Sequence, residues 1–196
     1  MQQENFSNQS SKVIPLPEKI KLQENNYEIE FTWKWFTLEG LIIYLILGAF
    51  WNGIMIIMIL SMYNSGSQGF EYLFLSLHSI IGIGLVYYAI ASILNQTKVV
   101  ADRNGIRIIH EPLPWFGAKN INRINIKQLY VVKVVTRSKG GDLTSYSLKG
   151  IDQKRKSFSL VSDLPDLETG KYLEQKIESF WNIKNYLVQG EFTDDN

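Results

Sequence analysis

The chain has no cysteine and only two histidines, His78 and His110. Without thiols there is no disulfide framework, thiolate metal site or thiol nucleophile. Two isolated imidazoles are a poor basis for a histidine metal centre, so neither a metal nor a cofactor is expected. Basic residues are absent from one long interval. Between Glu39 and Leu94 there is no lysine or arginine, and the only acidic or basic side chains are Glu39, Glu71 and His78. All 20 Lys and Arg lie outside it. With a net charge of +1 and no basic stripe interleaved with stacking aromatics, nucleic acid is not an expected partner. Residues 1–18 lack a basic segment followed by an apolar core, so no cleaved signal peptide is expected and the first apolar helix serves as its own signal.

That uncharged interval holds two apolar runs, 40–63 and 72–94. Each exceeds the roughly 20 residues that cross about 30 Å of hydrocarbon at 1.5 Å per residue. They predict transmembrane helices over 39–63 and 72–94. The connector Asn64-Ser-Gly-Ser-Gln-Gly69 is short and polar, so the two helices form a hairpin with the lipid bilayer as partner. Lys34 precedes the first helix, Lys98 and Arg103 follow the second, and the connector has no basic residue. The positive-inside rule then predicts a two-span protein with both termini cytoplasmic.

Outside the hairpin the periodicity changes. Residues 1–18 form a polar arm expected to be disordered, and 188–196 an acidic tail. In 19–36, Tyr27, Ile29, Phe31, Trp33 and Trp35 alternate with Glu28, Glu30, Thr32 and Lys34 after Asn25-Asn26, which predicts a β-hairpin packed on a soluble domain. That domain is expected at 97–187. Strands are predicted at 98–102 and 106–110 about Arg103-Asn104-Gly105, whose Asn-Gly pair favours a type I′ turn. Further strands are predicted at 129–137, 143–151 and 157–161. Pro112 and Pro114 interrupt the series. At its end Leu173, Ile177, Phe180 and Trp181 share a helical face, with Glu174, Lys176 and Glu178 placed elsewhere and Asp163, Pro165, Asp166 and Glu168 suiting the helix start.

The predicted fold is therefore α+β: a two-helix transmembrane hairpin with a small antiparallel β-sheet or partial barrel capped by a C-terminal helix. Over residues 19–187 this layout, with PLPWFG (112–117), IKQLY (126–130) and LEQKIESF (173–180), resembles uncharacterised bacterial membrane proteins that carry a pleckstrin-homology-like domain. The layout is also similar to that of the photosystem I assembly protein family, a resemblance that implies a non-enzymatic assembly role and transfers no site residue.

Several constellations have both a functional and a structural reading. Gly82-Ile-Gly84 begins like a dinucleotide fingerprint, but no strand precedes it, and helix packing is the better account. Asn95-Gln-Thr97 matches a glycosylation sequon on the face expected to be cytoplasmic. His110-Glu111, with Asp102, imitates a proton-transfer pair but lacks a nucleophile or an oxyanion cradle, so a strand-surface histidine is favoured. His78 is an ionisable group inside a membrane helix, a functional candidate that could also reach the interface. Trp33, Trp35, Phe36, Tyr63, Phe70 and Tyr72 mark the span ends as interfacial aromatics. Tyr87 and Tyr88 lie deeper, without an assigned role.

Two sites follow. Lys154, Arg155 and Lys156, at a predicted hairpin tip, are candidates for contact with anionic lipid headgroups or an unknown membrane protein partner. Asn52 lies about 17 Å from the connector and Gly82 about 15 Å, so the two are level. Gly48 and Asn52 share one face, while Leu75, Ser79, Gly82, Val86 and Ala89 share another, predicting that Asn52 bonds across the hairpin to Ser79 or to backbone beside Gly82. The expected function is a non-enzymatic membrane-anchored binding or assembly module. The alternative is an oligomeric membrane enzyme or small-solute carrier using His78 and Asn52, which requires a homo-oligomer because two helices cannot line an aqueous path.

Overall fold

The computed structural model describes residues 14–66, 69–138, 141–184 and 186. The acidic tail 188–196 and the arm before residue 14 lie outside them. The element order is β1 (Lys21–Glu24), β2 (Glu28–Lys34), α1 (Leu38–Ser65), α2 (Phe70–Leu94), β3 (Gln96–Asp102), β4 (Gly105–Glu111), β5 (Lys119–Asn122), a 3-10 turn at Arg123–Asn125, β6 (Gln128–Ser138), β7 (Gly141–Ile151), β8 (Ser157–Leu164) and α3 (Leu167–Phe180). The strands form a five-stranded sheet, β1-β2-β3-β4-β5, and a three-stranded sheet, β6-β7-β8.

Contacts gather the described residues into two units. One takes those within Met1–Phe31, Val99–Ile108 and Lys119–Asn196; the other comprises Thr32–Lys98 and Ile109–Ala118. Strands β2, β3 and β4 each contribute residues to both.

In the first unit, Ile29 and Phe31 of β2 and Ile106 and Ile108 of β4 are buried at every second position, as half-buried strands require. Residues 129–132 of β6 are buried without alternation, so both faces of this half-strand are covered. Helix α3 packs on the three-stranded sheet. Asp166 caps it by accepting from Thr169 N at 2.8 Å, and Tyr172 meets Phe31 edge-on at 6.2 Å.

Three expectations need correction here. Glu174 and Glu178, placed apart from the apolar face of Leu173 and Ile177, are buried along with it. Glu178 Oε1 accepts from Leu129 N at 3.0 Å, and this strand N–H partner offsets the desolvation of the carboxylate. The Asn-Gly turn is not type I′, because neither Asn104 nor Gly105 occupies the left-handed region. Asp102 Oδ1 instead accepts from Asn104 N at 2.6 Å and Gly105 N at 2.9 Å, closing the turn with a side chain. Gly105 is needed for close approach, since a Cβ there would lie 2.1 Å from Ile121 O on β5. Finally, Trp33 is not an interfacial marker. It is buried, in phase with Ile29 and Phe31.

In the second unit, α1 and α2 pack as a hairpin, and both are long and apolar enough to cross a membrane. Thr37 Oγ1 caps α1 by accepting from Gly40 N at 3.2 Å, and Gly66 closes its far end. Both helices begin two residues before the apolar runs do; at α1 the Thr37 cap sets that start, and at α2 it falls directly after Gly69.

The two glycine environments give a paired prediction. Gly105→Ala is expected to destabilise the protein by about 1–3 kcal/mol, because the obstacle is backbone, which cannot swing aside. Gly84→Ala, where a Cβ meets nothing within 4 Å, is expected to be tolerated. Thermal unfolding of the two variants in detergent checks this, and equal melting temperatures would contradict it.

Candidate functional site

Polar chemistry within the hairpin centres on Asn52. Its Nδ2 donates to Gly48 O at 2.8 Å, one turn back, and to Gly82 O on α2 at 3.3 Å. Both amide hydrogens are thereby used. The absent side chain of residue 82 makes room, since a Cβ on Gly82 would sit 2.6 Å from Asn52 Oδ1. Ser79, the other partner anticipated for Asn52, donates instead to Leu75 O on its own helix at 2.9 Å. Serine in a helix interior reaches the carbonyl four residues back on its own helix, and that local bond wins.

His78 lies beside Trp51. The indole Nε1 donates to His78 O at 3.0 Å, and the two rings stack at 5.8 Å and 7°. His78 Nδ1 lies 2.9 Å from Phe74 O, an atom that only accepts, so Nδ1 carries the proton. The imidazole thus serves the helix backbone.

A second cluster occupies the base of the hairpin, where β2 enters α1 and α2 leaves into β3. Asn95, fully buried, ends α2 with its N–H on Ala91 O at 2.8 Å, and its carbonyl accepts from Trp35 N at 3.1 Å. Its carboxamide pairs with the peptide of Leu113: Nδ2 donates to Leu113 O at 3.0 Å and Leu113 N donates to Oδ1 at 2.9 Å. An amide so enclosed is no glycosylation acceptor, despite the sequon.

Thr97 Oγ1 accepts from Trp35 Nε1 at 2.7 Å and lies 3.0 Å from His110 Nδ1. The indole can only donate, so the hydroxyl satisfies its own hydrogen by giving it to Nδ1, which leaves the His110 proton on Nε2. His110 is therefore part of a packed network, not a solvated strand face. Its ring also meets Trp35 at 5.3 Å. Burial holds its pKa below the ordinary 6.5. Next to it, Glu111 Oε1 accepts from Lys98 Nζ at 2.8 Å and Gln96 Nε2 at 2.9 Å. The Lys98 bond first, then the Gln96 bond, hold its carboxyl below 4.5. Asp102, the anticipated third member of a proton-transfer set, closes its own turn and meets Arg107 Nη2 at 3.5 Å.

The same base carries an aromatic chain that links residues far apart in sequence. Trp115 lies 5.4 Å from Trp35, 5.2 Å from Tyr88 and, stacked, 6.0 Å from Tyr87; Tyr88 in turn meets Tyr44 at 4.3 Å. Tyr87 Oη donates to Pro114 O at 2.7 Å. This explains why two tyrosines stand so far along α2. Nothing local in the sequence pairs them with the Pro112–Pro114 segment.

The basic turn lies in the other unit. Asp152 Oδ1 accepts from Lys154 N and Lys156 N, each at 2.8 Å, and Arg155 takes a left-handed φ of 63°. The backbone is thus organised by one carboxylate while the Lys154, Arg155 and Lys156 side chains are exposed. Among the described residues no cluster of His, Asp and Glu could hold a metal ion. Compared with protein-family models and with curated proteins, the sequence matches none.

Two predictions follow. Cysteines placed at 52 and 82 in this cysteine-free chain are expected to form a disulfide readily, whereas Asn52→Leu alone costs only about 0.6 kcal/mol of hairpin stability. Oxidative cross-linking read on a gel checks the geometry; failure of this pair while a pair on another face links would overturn it. The second concerns acid. His110 and Glu111 both bind protons more weakly in the folded chain than when unfolded, so folding stability is full above pH 6.5 and declines below it, first through His110 and then, below 4.5, through Glu111. The melting temperature is expected to fall between pH 7 and 5, and His110→Asn, which keeps an acceptor near Thr97, is expected to flatten that limb. An unchanged slope would place the titration elsewhere.

Proposed function

We propose that this protein is a non-enzymatic, membrane-anchored binding module: α1 and α2 span the bilayer, both termini are cytoplasmic, and the strands with α3 form a pleckstrin-homology-like domain that holds a partner protein or anionic lipid at the membrane face. The observation that carries the reading is the surface of the hairpin. Only 11% of the apolar window of α1 and 17% of that of α2 is buried within the protein, whereas a core helix of a water-soluble protein is mostly covered. Side chains such as Ile57, 69% exposed, and Ile83, 67% exposed, then face lipid. Two antiparallel sheets followed by a helix on the second are the layout that supports the domain assignment.

The binding surface is assigned to Lys154, Arg155 and Lys156. The Asp152 bonds fix the turn, so three cations are displayed with little backbone entropy left to lose. Near an anionic surface each contributes on the order of 1 kcal/mol, falling off over a Debye length of about 8 Å. The reading as an oligomeric enzyme or carrier draws less support, because the Asn52 amide hydrogens and His78 Nδ1 are engaged by helix carbonyls.

A photoreactive residue at position 155, in the full chain in its native membrane, tests the assignment. The expected outcome is a specific adduct with anionic lipid or with one protein, weakened at least severalfold when Lys154 and Lys156 are changed to Ala. Adducts that are absent, or indifferent to those changes, would reduce the turn to a solvated loop.

A further inference from the structure

We propose that the loop 112–117, PLPWFG, is a third membrane contact, folding back along α2 to seat Trp115 and Phe116 in the boundary between headgroups and acyl chains. This rests on the reading that α1 and α2 span the bilayer, and goes beyond it by assigning the bilayer to a segment outside both spans.

Depth is the first argument. Tyr87 lies two turns, about 10 Å, before Leu94, the last residue of α2. Helical side chains lean towards the helix N-terminus, which here is away from Leu94 and further into the span. The Tyr87 hydroxyl nevertheless holds Pro114 O at 2.7 Å, and its ring stacks on Trp115. The loop therefore runs beside the apolar end of α2, not beyond it.

Composition and exposure point the same way. From Pro112 to Ala118 there is no ionisable side chain, and Glu111, at the loop's entrance, is paired with Lys98. Phe116 is 90% exposed although it stands among apolar neighbours. Water is a poor environment for that ring, and the interface, which favours Trp and Tyr beside it, is a good one.

Over residues 112–114 backbone chemistry lowers the usual obstacle. Irregular backbone entering a membrane must find its hydrogen bonds within the protein. Pro112 and Pro114 have no N–H, the Leu113 peptide is satisfied on both sides by the Asn95 carboxamide, and Pro114 O is taken by Tyr87.

The test uses the full chain in liposomes with single cysteines carrying a nitroxide at position 116, at position 57 on the exposed face of α1 and at the exposed position 27. Collision with oxygen, which concentrates in lipid, is compared with collision with a water-soluble nickel chelate. The ratio at 116 is expected to resemble that at 57 and to exceed that at 27. If 57 is oxygen-rich while 116 is as nickel-accessible as 27, the loop proposal is overturned and the membrane reading survives. If 57 itself is nickel-accessible, the membrane reading fails with it. A label at 116 shielded from both reagents would mean that protein covers the loop, which also overturns the proposal. Phe116 is too exposed for its replacement to threaten folding.

Discussion

The carboxamide of Asn95 joined to the peptide of Leu113 is the constraint on which the base of the hairpin depends. Asn95 ends α2, receives the backbone N–H of Trp35 just before α1 begins, and grips a loop 18 residues downstream. Four polar groups of one buried residue are thus satisfied by three separate segments. Leaving such a buried group unpaired costs about 1–3 kcal/mol, so the helix end, the strand entry and the loop adopt their conformations together. Trp35, Thr97, His110 and Trp115 take their positions from that arrangement.

A single rule accounts for most of the polar detail in this unit: a polar side chain on a helix takes the nearest acceptor within reach. Ser79 reaches back to Leu75, His78 to Phe74 and Asn52 to Gly48, all within one helical turn. Only where a neighbour lacks a side chain, at Gly82, does Asn52 also bond across the hairpin. Thr97 shows how such satisfaction sets chemistry. A hydroxyl that already accepts from an indole directs its hydrogen to His110, fixing the tautomer of the neutral ring, while burial lowers the ring's pKa. The residues most suggestive of proton transfer are therefore explained by structure.

The first unit follows the same logic with a different currency. Residues 129–132 of β6 are covered on both faces, so the strand's N–H at Leu129 cannot rely on water and takes the carboxylate of Glu178. At the basic turn the order is reversed: Asp152 organises the backbone and leaves the cations outside. One carboxylate serves the core, and the other prepares a surface.

Hydropathy and periodicity made the two apolar helices, the inward phase of Ile29 and Phe31, most strands and the start of α3 legible in the sequence, because each depends on neighbours within a turn or a pleat. The level placement of Asn52 and Gly82 was legible too, since rise per residue is fixed by the helix itself. The choice between Ser79 and Gly82 as the partner of Asn52 was not, because it turns on a competition with Leu75 O that sequence spacing does not price. Strand β5, with its four residues KNIN, carries no apolar alternation and exists through its pairing with β4. The burial of Glu174 and Glu178, the side-chain closure at Asp102 and the role of Tyr87 all require a partner remote in the chain or a backbone angle. Local pattern determines which face of an element is apolar; only the tertiary structure decides which polar group meets which, because a hydrogen bond depends on a distance of about 3 Å that no one-dimensional pattern encodes.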